Sequence, residues 1–314
     1  MARTARSEVF DHNETNCICT VCTAAPGRQL AGLRSQFSAD RDERRVFIED
    51  VIGVFRQCFA VELIAYTLDD KSIKQMLQPL PQVAAELSPE EIARRWLIIC
   101  QSLRRHDAPY RAPSEKDICR LCEDPDRIER IRGQLSDVAW WNRLLCQRIS
   151  QTFNKRDKLR GRFWEGRFHS TLLLDELSRL SCLASIDVAN RSTCPAVVPM
   201  DRRLGKPGDA QNSNVRQSVT LMPHADYLSL LDWTYKVLTD TSADAQMEHT
   251  VISMLSHRDI SASVWLPLVV DFGYHFSQIA GRLETMDKHL SRISRRRFFV
   301  RPQARRLLRQ QSLT

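Results

Sequence analysis

Phe59-Ala-Val-Glu-Leu-Ile-Ala-Tyr-Thr-Leu68 is followed at once by Asp69-Asp70-Lys71 and then by Ser72-Ile-Lys-Gln-Met-Leu77. The first run is short and rich in β-branched and aromatic residues, which suit a buried strand. The polar triplet reads as a turn, and the second run as a returning strand in which Ile73 alternates with polar neighbours before Met76 and Leu77. Upstream, Val46, Phe47, Val51, Val54, Phe55 and Cys58 recur at three- and four-residue steps beneath a charged face, which predicts an amphipathic helix from Asp42 to Phe59. Helix, strand, turn and strand thus follow one another in this order.

Further along, Ser88-Pro89-Glu90-Glu91 combines a cap, a proline at the first helical position and the glutamate of a capping box, so a helix starts there and runs through Arg94, Arg95 and Trp96. One helix is predicted from Arg127 to Phe153, carrying Trp140, Trp141, Leu144, Leu145 and Ile149, and another from Asp175 to Val188. Residues 201–215 are loaded with glycine, proline, asparagine and charge and read as a linker. Beyond it the chain looks all-helical, with amphipathic segments at Pro223–Leu238 and Val264–Phe276, and it closes on Arg295-Arg296-Arg297-Phe298-Phe299 and Arg305-Arg306. The expected organisation is a core over 1–200, the linker at 201–215, a helical region over 216–290 and a basic tail over 291–314.

A chain of 314 residues that is 43% hydrophobic can bury a substantial core. Its 46 lysines and arginines exceed its 38 aspartates and glutamates, giving a formal charge of +8 and a pI near 9.1. That balance favours an anionic partner such as nucleic acid and is permissive only. No apolar run is long enough to span a bilayer and the N-terminus lacks a signal-peptide core, so the expected location is the cytoplasm, with no membrane partner.

Ten cysteines without an export signal read as reduced thiols. Cys19-Thr-Val-Cys22, with Cys17 just before it, and Cys119-Arg-Leu-Cys122 each have the spacing of half a zinc site, and together could supply four thiolates. The competing reading is apolar filler: the second pair follows Pro113-Ser114-Glu115-Lys116-Asp117 and looks like the first turns of a helix. Reduced, metal-free cysteines are the expectation, with structural zinc as the alternative.

Gly161-Arg162-Phe163-Trp164-Glu165-Gly166-Arg167-Phe168-His169-Ser170 sets two arginines among three large rings between two glycines. Arginines meet phosphates and flat rings stack on unpaired bases, so the string suits single-stranded or hairpin nucleic acid. Arg162 and Arg167 are the expected phosphate or guanine contacts, with Phe163, Trp164 and Phe168 stacking on bases or supporting the loop and His169 facing phosphate or lying on the surface. Burial of all three rings in the core is the competing reading, and Glu165 is expected to bond to an arginine and fix its orientation.

Several stretches occur in a recognisable order: Arg44-Arg45-Val46-Phe47-Ile48-Glu49-Asp50, Ala65-Tyr66, Glu90-Glu91-Ile92-Ala93-Arg94-Arg95-Trp96, the string Gly161 to Phe168, Leu172-Leu-Leu-Asp-Glu176, Cys182-Leu-Ala-Ser-Ile-Asp187, Asp226-Tyr227-Leu228 with Leu231-Asp232-Trp233-Thr234, and Asp271-Phe272-Gly273-Tyr274-His275-Phe276. Together they resemble the long bacterial branch of the REP-associated, single-tyrosine HUH transposases. The resemblance implies an α+β fold whose ferredoxin-like core, an antiparallel sheet flanked by helices, binds hairpin or single-stranded DNA, a homodimer, and, in active members, strand cleavage by a tyrosine with Mg²⁺ or Mn²⁺. Cleavage needs two histidines flanking one apolar residue on a strand, so that both imidazoles share a face and hold the metal. The matching positions here are Ser72 and Lys74 around Ile73. A hydroxyl is a weak ligand, and an ammonium repels a dication.

The family's tyrosine lies on the helix before the aromatic-basic string, and Asn142 to Asn154 contains none. Its Leu-Asn-Pro-Val-Arg-Ala-Gly turn is replaced by Val188-Ala-Asn-Arg-Ser-Thr-Cys194, and where it often has lysine this chain has His169. The expected function is therefore DNA binding with strand cleavage impaired or lost, Lys74 neutralising a phosphate where a metal once sat. Two other readings stand beside it: a metal-dependent nicking transposase using other residues, and a zinc-stabilised or helical interaction module.

Overall fold

One side chain builds the turn at Asp69. Its Oδ1 accepts hydrogen bonds from the backbone N–H groups of Lys71 at 2.7 Å and Ser72 at 2.6 Å, and its Oδ2 accepts the Ser72 hydroxyl at 2.7 Å. This Asx turn joins two antiparallel strands, β2 (Val61–Leu68) and β3 (Ser72–Pro79). A computed structural model describes residues 15–30, 39–104, 112–193, 222–239, 249–292 and 302–311. Helix α1 (Ala39–Cys58) precedes β2 where the periodicity predicts it. It buries Ile48, Val51, Ile52, Phe55 and Cys58, while Val46, expected on the apolar face, is exposed.

Cys17–Thr23, which the periodicity does not mark as a strand, forms β1 at the centre of the sheet. It pairs antiparallel with β3 on one side and with β4 (His169–Leu173) on the other. The order is β2-β3-β1-β4-β5, the last being Ile279–Ala280, parallel to β4. The coarse α+β expectation holds, with a mixed rather than wholly antiparallel sheet.

Between β3 and β4 lie α2 (Pro81–Glu86), α3 (Pro89–Arg104), α4 (Glu115–Cys122), α5 (Pro125–Leu135) and α6 (Val138–Arg156). Ser88 caps α3 through Glu91 N–H at 3.2 Å. The single helix expected over Arg127–Phe153 is two, because Asp137 leaves the helical conformation and its carboxylate accepts the Ala139 N–H at 2.6 Å. Helix α6 covers one face of the sheet. Trp141 is fully buried there against Phe55 and Phe59, with ring centroids 5.5 and 5.3 Å away, and donates to Gln75 Oε1 at 2.9 Å.

The opposite face carries α7 (Glu176–Thr193). Ser178, Ser181, Cys182 and Ala184 are buried on it, and small side chains let a helix approach a neighbouring element closely. The C-terminal region contributes α8 (His224–Thr239), α9 (His249–Ser256), α10 (Ala262–Val270), α11 (Phe272–His275), α12 (Leu283–Arg292) and α13 (Pro302–Gln311). The helix expected over Val264–Phe276 breaks at Asp271. Nor is this region all-helical, since β5 extends the core sheet. Leu172 N–H donates to Gln278 O at 2.8 Å, Leu174 N–H to Ala280 O at 2.9 Å, and Arg282 N–H to Asp175 Oδ2 at 2.5 Å. A Cβ at Gly281 would lie 2.8 Å from Asp175 Oδ2, so a side chain there would have to displace the Asp175 carboxylate. The expected linker at 201–215 and the cluster Arg295–Phe299 fall outside the described residues; Arg305 and Arg306 are exposed on α13. No described helix is long and apolar enough to cross a membrane.

Candidate nucleic-acid interface

Helix α6 ends in a left-handed turn. Lys158 has φ 51°, and Leu159 N–H reaches back to Asn154 O at 3.0 Å. Gly161, at φ 93°, takes a conformation that a side chain would strain. From there the chain runs alongside the end of β1: Ala25 N–H donates to Phe163 O at 2.9 Å, Glu165 N–H donates to Thr23 O at 2.9 Å, and Ala24 bridges Trp164. The Phe163 ring is 2% exposed and packs 5.8 Å from Phe153 and 5.1 Å from Trp164. Trp164 is half-buried, its Nε1 donating to Cys146 O at 2.8 Å.

This geometry divides the residues expected to bind DNA. Phe163 is core and cannot stack on a base, so that expectation is corrected: hydrophobic burial claims the ring. Trp164 supports the loop from below, and Phe168 is half-buried. Arg162 and Arg167 are exposed. Arg162 Nη1 donates to the backbone carbonyl of Glu165 at 3.0 Å, so the peptide of Glu165, and not its carboxylate, orients the guanidinium.

The string is also one end of a longer basic segment. Residues 155–168 hold Lys155, Arg156, Lys158, Arg160, Arg162 and Arg167 against Asp157 and Glu165. Asp157 is taken by Arg44, and Arg156 pairs with Glu43 at 2.6 Å. Lys158, Arg160, Arg162 and Arg167 are exposed, and no carboxylate of the described residues forms an ion pair with them. Arg28, from the loop after β1, joins this surface by donating to Arg160 O at 2.9 Å, its guanidinium 6.0 Å from the Phe163 ring. Arg28, Lys158 and Arg160 are absent from the residues singled out by sequence; the charge run after Phe153 is the signal that marks the last two.

Positions 72 and 74 project from β3 on the α7 face and are committed elsewhere. The Ser72 hydroxyl belongs to the Asp69 turn. Lys74 Nζ donates to Ser185 Oγ on α7 at 2.6 Å and lies 5.2 Å from the centroid of Phe272. The expected phosphate contact at Lys74 is thus replaced by a tether to α7 and the C-terminal region. These two positions do not fit Mg²⁺ or Mn²⁺, because one offers a hydroxyl already bonded to a carboxylate and the other a cation. Lys74 pairs across the sheet with Val21, and Val21 with His169. His169 Nε2 is 3.0 Å from Ser277 O, and Thr171 Oγ1 donates to the same carbonyl at 2.5 Å. His169 therefore helps fasten the segment before β5 and does not stand toward a ligand.

No tyrosine lies on α6. Tyr227 is buried and donates to Asp187 Oδ2 at 2.6 Å. Tyr66 is pushed upward, first by burial and then by the neighbouring Glu49 carboxylate, away from phenolate character. Tyr235 lies under the Arg191 guanidinium, 4.8 Å from its ring centroid; Tyr110 is outside the described residues.

The zinc alternative fails on strand geometry. Residues three apart on a strand point to opposite faces, so Cys19 faces Cys182 on α7 while Cys22 faces Cys146 on α6, with a sulfur–sulfur distance of 3.3 Å. Cys119 and Cys122 sit on α4, the first of them exposed. Among the described residues no group of three or more histidine, cysteine, aspartate or glutamate side chains is placed to hold a metal ion. Comparison with protein-family models, curated proteins and solved structures returns no match to this chain.

Proposed function

We propose that this protein binds hairpin or single-stranded DNA through the basic segment 155–168 and does not cut it, as a relative of the REP-associated HUH transposases that has lost strand cleavage. The observation that carries the reading is the anchoring of this segment. Phe163 is buried, Trp164 is bonded to Cys146 O, and the exposed cations Lys158, Arg160, Arg162 and Arg167 are thereby held on a fixed backbone. Cations presented without carboxylate partners suit a polyanion, since each phosphate neutralised releases a condensed counterion. The succession β1, α1, β2, β3, the helices α2 to α6 and β4, with β4-β1-β3-β2 side by side, supports a ferredoxin-like core.

Loss of cleavage follows from the chemistry of positions 72 and 74 and from the lack of a phenol on α6. A gel-shift series with hairpin DNA, run beside a Mg²⁺ and Mn²⁺ cleavage assay on the same oligonucleotide, tests both halves. Retarded, intact DNA is the expected result. Nicked DNA overturns the second half, and failure to retard hairpin or single strand at low salt overturns the first.

A further inference from the structure

Two thiols from distant parts of the chain meet beneath the basic segment. Cys146 Sγ on α6 donates to Cys22 Sγ on β1 at 3.3 Å, and Cys22 Sγ lies 3.6 Å from Asn142 Oδ1. Cys22 is 1% exposed, whereas Cys146 is partly exposed. A disulfide needs a sulfur–sulfur separation of about 2.05 Å, so roughly 1.3 Å of closure converts this contact into a bond. We propose that Cys22 and Cys146 form a reversible redox pair, oxidised to a disulfide by thiol–disulfide exchange with a low-molecular-weight disulfide.

The step balances as follows. Cys146, the less buried member of the pair, loses its proton and attacks one sulfur of the small disulfide, expelling the first thiolate. Cys22 then loses its proton and attacks Cys146 Sγ, expelling the second. Two protein thiols are oxidised, one small disulfide is reduced, and the two protons end on the two small thiols released. The donated hydrogen bond to Cys22, with burial, holds the Cys146 thiol well above the ordinary thiol range, so exchange accelerates as pH rises.

The position gives the bond a consequence. Ala24, two residues past Cys22, bridges Trp164, and Trp164 donates to the Cys146 carbonyl. Oxidation therefore ties together the two supports on which the basic segment rests. The other neighbouring thiols are less suited: Cys19 and Cys182 are 3% and 0% exposed, out of reach of a small disulfide, and Cys119 and Cys122 share a helical turn that a bond between them must distort.

The full-length protein, incubated with oxidised glutathione and then alkylated, digested and mapped by mass spectrometry, tests this directly. The expected result is loss of two alkylatable thiols, a peptide linking Cys22 to Cys146, an unfolding midpoint that rises, and reversal of all three by dithiothreitol. Cys146→Ser abolishes the link and leaves Cys22 alkylatable only on unfolding. A glutathione adduct persisting on Cys146 without the link, a link between other cysteines, or no loss of thiols overturns the proposal. None of these outcomes depends on DNA, so the redox pair and the DNA-binding reading fail separately.

Discussion

Phe163 shows how a single ring can be misread from composition. An aromatic between two arginines suits a stacking platform equally well as a core plug, and only the path of the backbone beside β1 separates the two. Because the ring is buried among Phe153 and Trp164, Phe163→Ala is expected to cost about 3–5 kcal/mol in unfolding free energy. Urea denaturation checks it; a loss under 1 kcal/mol would mean the ring is not core. Lys74 is the converse case, a charge whose neighbours were hidden from sequence because Ser185 and Phe272 lie far along the chain. Lys74→Met keeps the apolar stem and removes the ammonium. The expected outcome is a stability loss of about 1 kcal/mol with hairpin affinity unchanged, and a tenfold weaker affinity would return Lys74 to the DNA surface.

At the level of elements, β2, the Asp69 turn and β3 were legible because pattern, turn chemistry and length agree over one short stretch. Strand β1 was not, since Cys17, Cys19 and Cys22 have the spacing of metal ligands and a central strand buried on both faces shows no apolar–polar alternation. The division of α5 from α6 was also missed, though Asp137 carries a capping signal: apolar periodicity resumes across it and conceals the break. Element geometry also sets the expectation for repair. Ser72→His with Lys74→His puts two imidazoles on one face of β3, yet it removes the hydroxyl that closes the Asp69 turn and the tether to α7, and leaves α6 without a phenol. The double variant should show no nicking of hairpin DNA with Mn²⁺; a nicked product would mean that another residue supplies the nucleophile.

Across the whole molecule, the C-terminal region is joined to the core through β5, the Gly281 seam, the Ser277 carbonyl and Phe272 over Lys74. These contacts engage the sheet edge and the α7 face, whereas the basic segment emerges at the end of β1 from the α6 side. The exposed basic segment and positions 72 and 74 thus occupy separate surfaces, a partition no local pattern could reveal because it rests on contacts between residues about a hundred positions apart. The most direct measurement is the salt dependence of hairpin-DNA affinity for the wild type and for Arg162→Ala with Arg167→Ala. The double variant should bind more weakly and lower the magnitude of the log–log slope by about 1.5, the share of two phosphate contacts. An affinity and a slope that match the wild type would show that DNA, if bound at all, is held somewhere else.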